Sequence, residues 1–157
     1  MATPSKTERR NVCLNRRARF EYEILDVFEA GLVLRGSEVK SLRDGKATLD
    51  DAWVGFDATG RPTLFNAHIA MFPQANRYNH ETTATRPLLL HRAEVIKLRQ
   101  IVREKGYTLV PLQLYFLGGW CKLEFAVGRG KKLHDKRASI REQEQKREVA
   151  RALRDGR

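Results

Sequence analysis

Apolar and polar residues alternate in several short runs of this chain. Phe20, Tyr22 and Ile24 interleave with Glu21 and Glu23, the period of a half-buried strand, and Val27 and Phe28 continue the apolar content. Glu29-Ala30-Gly31 then predicts a break, with glycine supplying a turn, before a second strand at Leu32, Val33 and Leu34. From Gly36 to Gly45 the period becomes helical: Val39 and Leu42 share a face, Ser37 is the expected N-cap and Gly45 the stop. Ala52 to Phe56 and Thr63 to Phe65 read as two strands around a turn at Asp57 to Pro62. Gln74 to Pro87 is polar and reads as a long loop. Leu88-Leu89-Leu90 leads into a helix from His91 to Lys105, with Val95, Leu98 and Val102 at helical spacing and Gly106 ending it. Tyr107 to Phe116 and Trp120 to Val127 follow as strands, joined by a hairpin turn at Leu117-Gly118-Gly119. Short antiparallel strands with two inserted helices predict a mainly β fold, a small barrel of the oligonucleotide-binding type.

The two ends differ from this body. Met1 to Arg10 has almost no apolar content and is expected to be a disordered arm, leaving 11–128 as the barrel. From Arg129 to Arg157 the chain is a basic tail, and Asp135 to Arg154 is helix-permissive. Its apolar residues Ile140, Val149 and Leu153 are too sparse for a core-facing stripe, so its helix is expected to form against a partner. Charge sharpens the division. Thirty Lys and Arg against nineteen Asp and Glu give a net +11. Residues 1–19 carry +5, residues 20–128 carry zero and residues 129–157 carry +6. A neutral body with two basic extensions suits a polyanionic partner, nucleic acid before an acidic membrane surface. No stretch reaches the length of a membrane span and no apolar segment follows the first residues, so a cytoplasmic location is expected. Cys13 and Cys121 are expected to be free thiols.

Catalytic motifs are absent from the sequence. His68, His80, His91 and His134 do not fall at zinc spacing, no nucleophile elbow is present, and Gly128-Arg129-Gly130-Lys131 lacks the Ser or Thr of a phosphate-binding loop. No metal or cofactor is expected, and the chain reads as a non-enzyme. A metal-dependent nuclease using Asp50, Asp51 and Asp57 is the alternative from a different class, and a generic RNA-binding protein is the nearer one. Core packing is the expected role of Tyr22, Trp53, Phe65, Tyr107, Tyr115, Phe116 and Trp120. Tyr78, beside Arg77 in the polar loop, is the aromatic expected to meet RNA.

Six segments, in order, carry a family resemblance. They are Asn15-Arg16-Arg17-Ala18; Gly36-Ser37-Glu38-Val39-Lys40-Ser41-Leu42-Arg43-Asp44-Gly45-Lys46-Ala47; Asn76-Arg77-Tyr78-Asn79-His80; Leu88-Leu89-Leu90-His91; Glu104-Lys105-Gly106-Tyr107-Thr108-Leu109-Val110-Pro111-Leu112; and Gly130-Lys131-Lys132-Leu133-His134-Asp135-Lys136-Arg137. Together they resemble the small protein B (SmpB) family, the SsrA-binding proteins of trans-translation. The resemblance implies an oligonucleotide-binding-type barrel that grips the tRNA-like domain of transfer-messenger RNA and delivers it to stalled ribosomes. It assigns the RNA contacts to Asn15, Arg16, Arg17, Glu38, Lys40, Ser41 and Arg43, with Asn76, Arg77, Leu88, Leu89, Leu90 and His91. It places Lys131, Lys132, His134, Asp135, Lys136, Arg137 and Arg141 of the tail against small-subunit RNA at the decoding centre and in the empty messenger channel. Elongation factor Tu and alanyl-tRNA synthetase are implied as partners through the RNA. For Glu38 the residues themselves leave two roles open: an RNA contact, or stabilisation of its own helix and a nearby arginine.

Overall fold

The computed structural model describes residues 8–104 and 106–156, without the side chains of Asn76, Leu133, His134 and Asp135. In chain order the elements are β1 (Arg9–Leu14), α1 (Ala18–Glu21), β2 (Tyr22–Leu32), α2 (Gly36–Arg43), β3 (Ala47–Thr48), β4 (Trp53–Phe56), β5 (Pro62–Phe65) and β6 (His68–Ile69). A 3-10 turn (Pro73–Tyr78) follows, then β7 (Arg86–Leu89), α3 (Arg92–Arg103), β8 (Tyr107–Leu117), β9 (Trp120–Gly130) and α4 (Leu133–Asp155).

The β8–β9 hairpin is the spine. Its two-residue turn uses Gly118 at φ +64° and Gly119 at φ +121°, a backbone that side chains resist. β9 pairs with β2, β2 with β7, β7 with β5, β5 with β4, and β4 returns to β8, closing an antiparallel barrel of six strands. β1 extends the same edge of the sheet along the far half of β8, from Arg9 opposite Leu117 to Leu14 opposite Gln113. β3 and β6 form a separate small ribbon. Register shifts in β2 between Ile24 and Val27, and in β8 between Pro111 and Gln113, bend these long strands around the barrel. Proline is tolerated at the second bulge because no ladder N–H is needed there. Asn15 fastens the end of β1 to it, its N–H donating to Leu112 O at 2.7 Å and its Nδ2 to Pro111 O at 2.9 Å.

Leu64, Leu114, Leu123 and Phe125 fill the barrel, and Leu98 of α3 joins the same core, all with no exposed surface. A second cluster of Ala18, Val110, Leu112 and Ala126 lies under α1. β8 is therefore covered on both faces, which explains its nearly unbroken apolar run.

Several elements depart from the expectations above. Phe20 belongs to α1, because Phe20 and Glu21 donate to Arg17 O and close a helical turn over the second cluster. Gly31 does not break the chain; β2 runs through it to Leu32. Glycine is there because Leu89 of β7 lies alongside, and a Cβ at Gly31 would stand 3.3 Å from the Leu89 Cβ. The N-cap of α2 is Arg35 rather than Ser37, with Glu38 reaching back to the Arg35 N–H at 3.0 Å. Arg9 and Arg10 fall in β1, not in a disordered arm, because β8 offers them an edge; residues 1–7 lie outside the described residues. The expected loop from Gln74 to Pro87 contains the 3-10 turn and the start of β7. On α3 the inward residue after Leu98 is Ile101, while Val102 faces out. The tail forms one helix, α4, consistent with its Arg, Glu, Gln and Ala content and a Glu142–Lys146 pair at 3.6 Å. Ile140, Val149 and Leu153 on it are exposed.

One buried cation organises the end of the barrel that carries α2. Arg86, 1% exposed, pairs through Nε with Glu38 Oε2. Its remaining nitrogens donate to the carbonyls of Ala67, Glu81 at 3.3 Å and Thr82 at 3.1 Å. Nearby, Ser41 Oγ donates to Ala70 O at 2.6 Å. Buried His80 bridges Ser37 Oγ at 2.8 Å and Ile69 O at 2.9 Å. The carbonyl can only accept, so Nε2 carries a proton and donates to it. These bonds hold α2, the β5–β6 connection and residues 79–86 as one unit.

Removing one member of a buried, bonded ion pair strands the other, at about 3–5 kcal/mol. Arg86→Met is therefore expected to lower stability by about that amount in urea unfolding. Adding Glu38→Leu should recover part of the loss but not all, because three carbonyls stay unpaired. A single variant within about 1 kcal/mol of the parent would show that the pair does not hold this region. A second expectation concerns the thiols. Burial pushes half-buried Cys13 up to about 11 and buried Cys121 up to about 12. Because the thiolate is the nucleophile, Cys13 should alkylate at pH 8 about 100-fold, and Cys121 about 1000-fold, more slowly in the folded chain than in urea. Reactivity should return only as pH approaches 11 for Cys13 and 12 for Cys121, and equal rates at pH 8 would contradict this.

Candidate nucleic-acid interface

The unit built on Arg86 presents a cationic outer face. Lys40 and Arg43 lie exposed on α2, one turn apart at i, i+3. The Lys40 ammonium sits 5.4 Å from the Phe72 ring centre, which joins α2 to the 3-10 turn. Asn79 pins that turn by a reciprocal pair with Phe72: the Phe72 N–H donates to Asn79 Oδ1 and Asn79 Nδ2 to Phe72 O, both at 2.8 Å. At its tip Arg77 donates to the Tyr78 hydroxyl at 3.2 Å and lies 5.2 Å from the ring centre. Tyr78 is 74% exposed, a rigid aromatic face beside a guanidinium. This is the combination of phosphate neutralisation and stacking that single-stranded or looped RNA requires.

Three of the residues assigned to RNA by resemblance are turned inward instead. Glu38 is 4% exposed, and both its carboxylate oxygens are engaged, by the Arg35 N–H and by Arg86. Ser41 is 1% exposed and Leu88 is 3% exposed. All three lie beneath the surface that carries Lys40 and Arg43. Asn15 is also buried and serves the bulge of β8, while its Oδ1 has no hydrogen-bond partner among the described residues. Arg16 and Arg17 beside it are exposed. The Asn76 side chain lies outside the described residues.

Leu89, Leu90 and His91 stand apart from α2. Leu89 and His91 are exposed, Leu90 is half-buried, and all three line a cavity of about 370 Å³ with Glu29 and Trp120. Trp120, expected in the core, is 77% exposed. Alternation along the strand does not separate it from Phe116; its place at the very start of β9, beyond the covering strands, does. On the other side of the same hairpin turn, Arg9, Arg10 and Arg43 line a second cavity of about 420 Å³. Arg10 donates there to Arg43 O at 3.0 Å, fastening β1 to the end of α2. Neither arginine of β1 was among the residues read from the sequence as RNA contacts.

The tail leaves the barrel at a fixed root. The Lys131 N–H donates to Glu21 O at 2.9 Å, and Lys131 Nζ donates to Ser139 Oγ at 2.8 Å. Lys132 is the N-cap of α4, and Arg137 and Arg141 are exposed on one face at i, i+4, with Lys136 half-buried. His134 and Asp135 belong to α4, but their side chains lie outside the described residues.

The carboxylates of the nuclease alternative do not converge. Asp57 Oδ1 accepts from Thr59 Oγ1 at 2.6 Å and from the N–H groups of Thr59 and Arg61, both at 2.9 Å. The Thr59 hydroxyl, first among these, holds its carboxyl below the usual range. It is thereby committed to the β4–β5 turn. Among the described residues no group of three His, Cys, Asp or Glu comes together as a metal site. No helix among them is long and apolar enough to cross a membrane.

Comparison with known proteins agrees with this geometry. The SmpB protein family model matches residues 12–155. An SsrA-binding protein of Desulforudis audaxviator is 50% identical over 151 residues, covering 96% of this chain and 95% of its own. One of Methylobacterium sp. (strain 4-46) is 49% identical over 156 residues, covering 99% of both. Among solved structures, a chain described under "tmRNA-SmpB: a journey to the center of the bacterial ribosome" superposes with a TM-score of 0.65 at 41% identity, covering 82% of this chain and 94% of that one. With nearly its whole length matched by the family model and by relatives about 50% identical, the chain belongs to the SmpB protein family.

Proposed function

We propose that this protein binds the tRNA-like domain of transfer-messenger RNA and brings it to stalled bacterial ribosomes, as a cytoplasmic, non-catalytic adaptor. The observation that carries this reading is the cationic, aromatic-tipped face of Lys40, Arg43, Arg77 and Tyr78, held rigidly on a barrel of the SmpB family. A folded RNA elbow is recognised by shape, phosphates and splayed bases, and a preorganised surface lowers the ordering cost of doing so. Arg16, Arg17, Leu89 and His91 extend the contact, while Glu38, Ser41, Leu88 and Asn15 support it from within.

α4 has a separate task in this reading. Lys131, Lys132, Lys136, Arg137 and Arg141, with His134 and Asp135, meet small-subunit RNA at the decoding centre, and the rest of the helix enters the empty messenger channel. Elongation factor Tu and alanyl-tRNA synthetase are partners through the RNA. Exposed apolar residues on a strongly basic helix gain most from a narrow, phosphate-lined passage.

A titration against the isolated tRNA-like domain, with ordinary tRNA and single-stranded RNA as competitors and at several salt concentrations, tests the body. Tight and selective binding is expected from the whole chain and from a chain ending at Arg129. Unselective binding that collapses on tail removal would replace this reading with a generic RNA binder. For the tail, footprinting on ribosomes should find α4 protected when the messenger channel is empty and accessible when it is filled. Equal protection in both would sink the sensing role.

A further inference from the structure

We propose that the small cavity between α1 and the start of β4 receives an arginine side chain from a basic protein segment. The inference adds a protein contact to an RNA-binding molecule. It rests on the reading above only in placing that segment on the surface that α4 meets.

The chain carries a net +11, yet the lining of this cavity is mainly acidic. Glu21 of α1 and Asp50 and Asp51 ahead of β4 line it, and Arg17 is the one cation among the lining residues. None of the three carboxylates is in an ion pair among the described residues. Three acids against one base leave the site net negative, so it repels a phosphate backbone and attracts a cation. Asn15 adds a second demand. It is nine-tenths buried and lines the same cavity. Its Nδ2 donates to Pro111 O at 2.9 Å, while its Oδ1 has no partner among the described residues. A buried acceptor without a donor costs free energy, so a guest rich in N–H groups is favoured there.

The aromatic wall selects the cation. Trp53 lines the cavity and is 46% exposed. One face of its ring stacks on Phe65, with ring centres 4.1 Å apart and planes 12° apart. The ring also lies over Gly55, where a Cβ would stand 2.6 Å from Trp53 Cζ3. The indole is thereby held flat on the sheet. Tyr22 is a second aromatic in the lining. A guanidinium is planar, stacks on an aromatic face, forks onto carboxylates and presents five N–H donors with no acceptor. Lysine brings the charge without the plane or the fork. The cavity volume is about 240 Å³, below the roughly 300–1,000 Å³ of sites that enclose a small molecule, and it suits a single side chain.

Position indicates where the arginine comes from. The Lys131 N–H donates to Glu21 O, and Tyr22 pairs with Gly130, so the cavity adjoins the root of α4. A surface that takes up α4 also confronts these acids. RNA on that surface meets the basic helix, and a basic protein arm beside it meets the cavity.

The test measures binding of the whole chain to small ribosomal subunits and, separately, to the isolated tRNA-like domain. Asp50→Asn combined with Asp51→Asn removes two negative charges from the cavity. If RNA lay against it, this double variant would bind the subunit more tightly. An arginine guest makes it bind more weakly, by about fivefold, the upper range for a solvent-accessible ion pair. Asp26→Asn, an exposed acid outside the cavity, is expected to bind no more weakly than the parent. The double variant should keep its affinity for the tRNA-like domain, which reports that it is folded. With Asp51→p-benzoylphenylalanine, light should join the chain to a ribosomal protein at an arginine-bearing segment. Tighter or unchanged subunit binding by the double variant, or cross-links only to ribosomal RNA or to α4 itself, overturns the proposal while the RNA-binding reading stands. If the parent chain does not bind the subunit, the ribosomal part of that reading fails and the proposal with it.

Discussion

The guanidinium of Arg86 is the fixed point of this surface. A charge taken out of water is tolerated only when it is paired and its hydrogen-bonding capacity is used. Arg86 meets that condition through Glu38 and three carbonyls, and those partners lie in three separate parts of the chain. None of these segments can shift without exposing or stranding a charge. The pair is weak evidence for stability by comparison with an apolar replacement. Its contribution is geometric: α2 is locked to the segment that carries Arg77 and Tyr78. Long cationic side chains are adaptable, but here their roots are fixed, so the spacing between cations belongs to the fold and not to the partner.

The barrel allows that rigidity because β8 is used twice. Its inner face supplies Leu109 and Leu114 to the main core and its outer face supplies Val110 and Leu112 to the cluster under α1. The bulge at Pro111 lets one strand serve both, and Asn15 seals the bulge. Beyond the covering strands the hairpin tip has no neighbour to bury Trp120. α4 obeys different physics. Beyond its root it makes no apolar burial among the described residues, and Ile140, Val149 and Leu153 remain in water. The molecule thus joins a surface ordered in advance to a segment whose apolar groups await cover.

What the sequence reveals follows from the range of the forces involved. The hairpin, α2, α3 and the basic tail are legible because period, glycine turns and helix propensity act locally. The polar stretch from Gln74 to Pro87 reads as loop because nothing local shows that His80 and Arg86 are buried; their partners are Ser37, Glu38, Ile69 and Ala67. Gly31 misleads for a similar reason, since the residue that requires glycine, Leu89, is far along the chain. On the candidate face, Lys40, Arg43, Arg77 and Tyr78, singled out from the sequence, are exposed. Glu38 is found in position but its partner is not, and Trp120 is hidden because alternation cannot distinguish a covered strand end from an open one.

The same distinction bears on charge. Residues 20–128 count as neutral, yet a polyanion approaching this body does not meet a neutral surface. Two acids are neutralised by cations of the protein itself, Glu38 by Arg86 and Glu124 by Arg9. Lys40, Arg43 and Arg77 face solvent without a carboxylate partner among the ion pairs described. Within a Debye length of about 8 Å at physiological salt, a phosphate responds to the nearest exposed groups and not to the sum over the chain. The field at α2 and the 3-10 turn is therefore more positive than the count implies. A body whose net charge is zero still attracts RNA on one face, and that restriction to one face is what a selective contact needs.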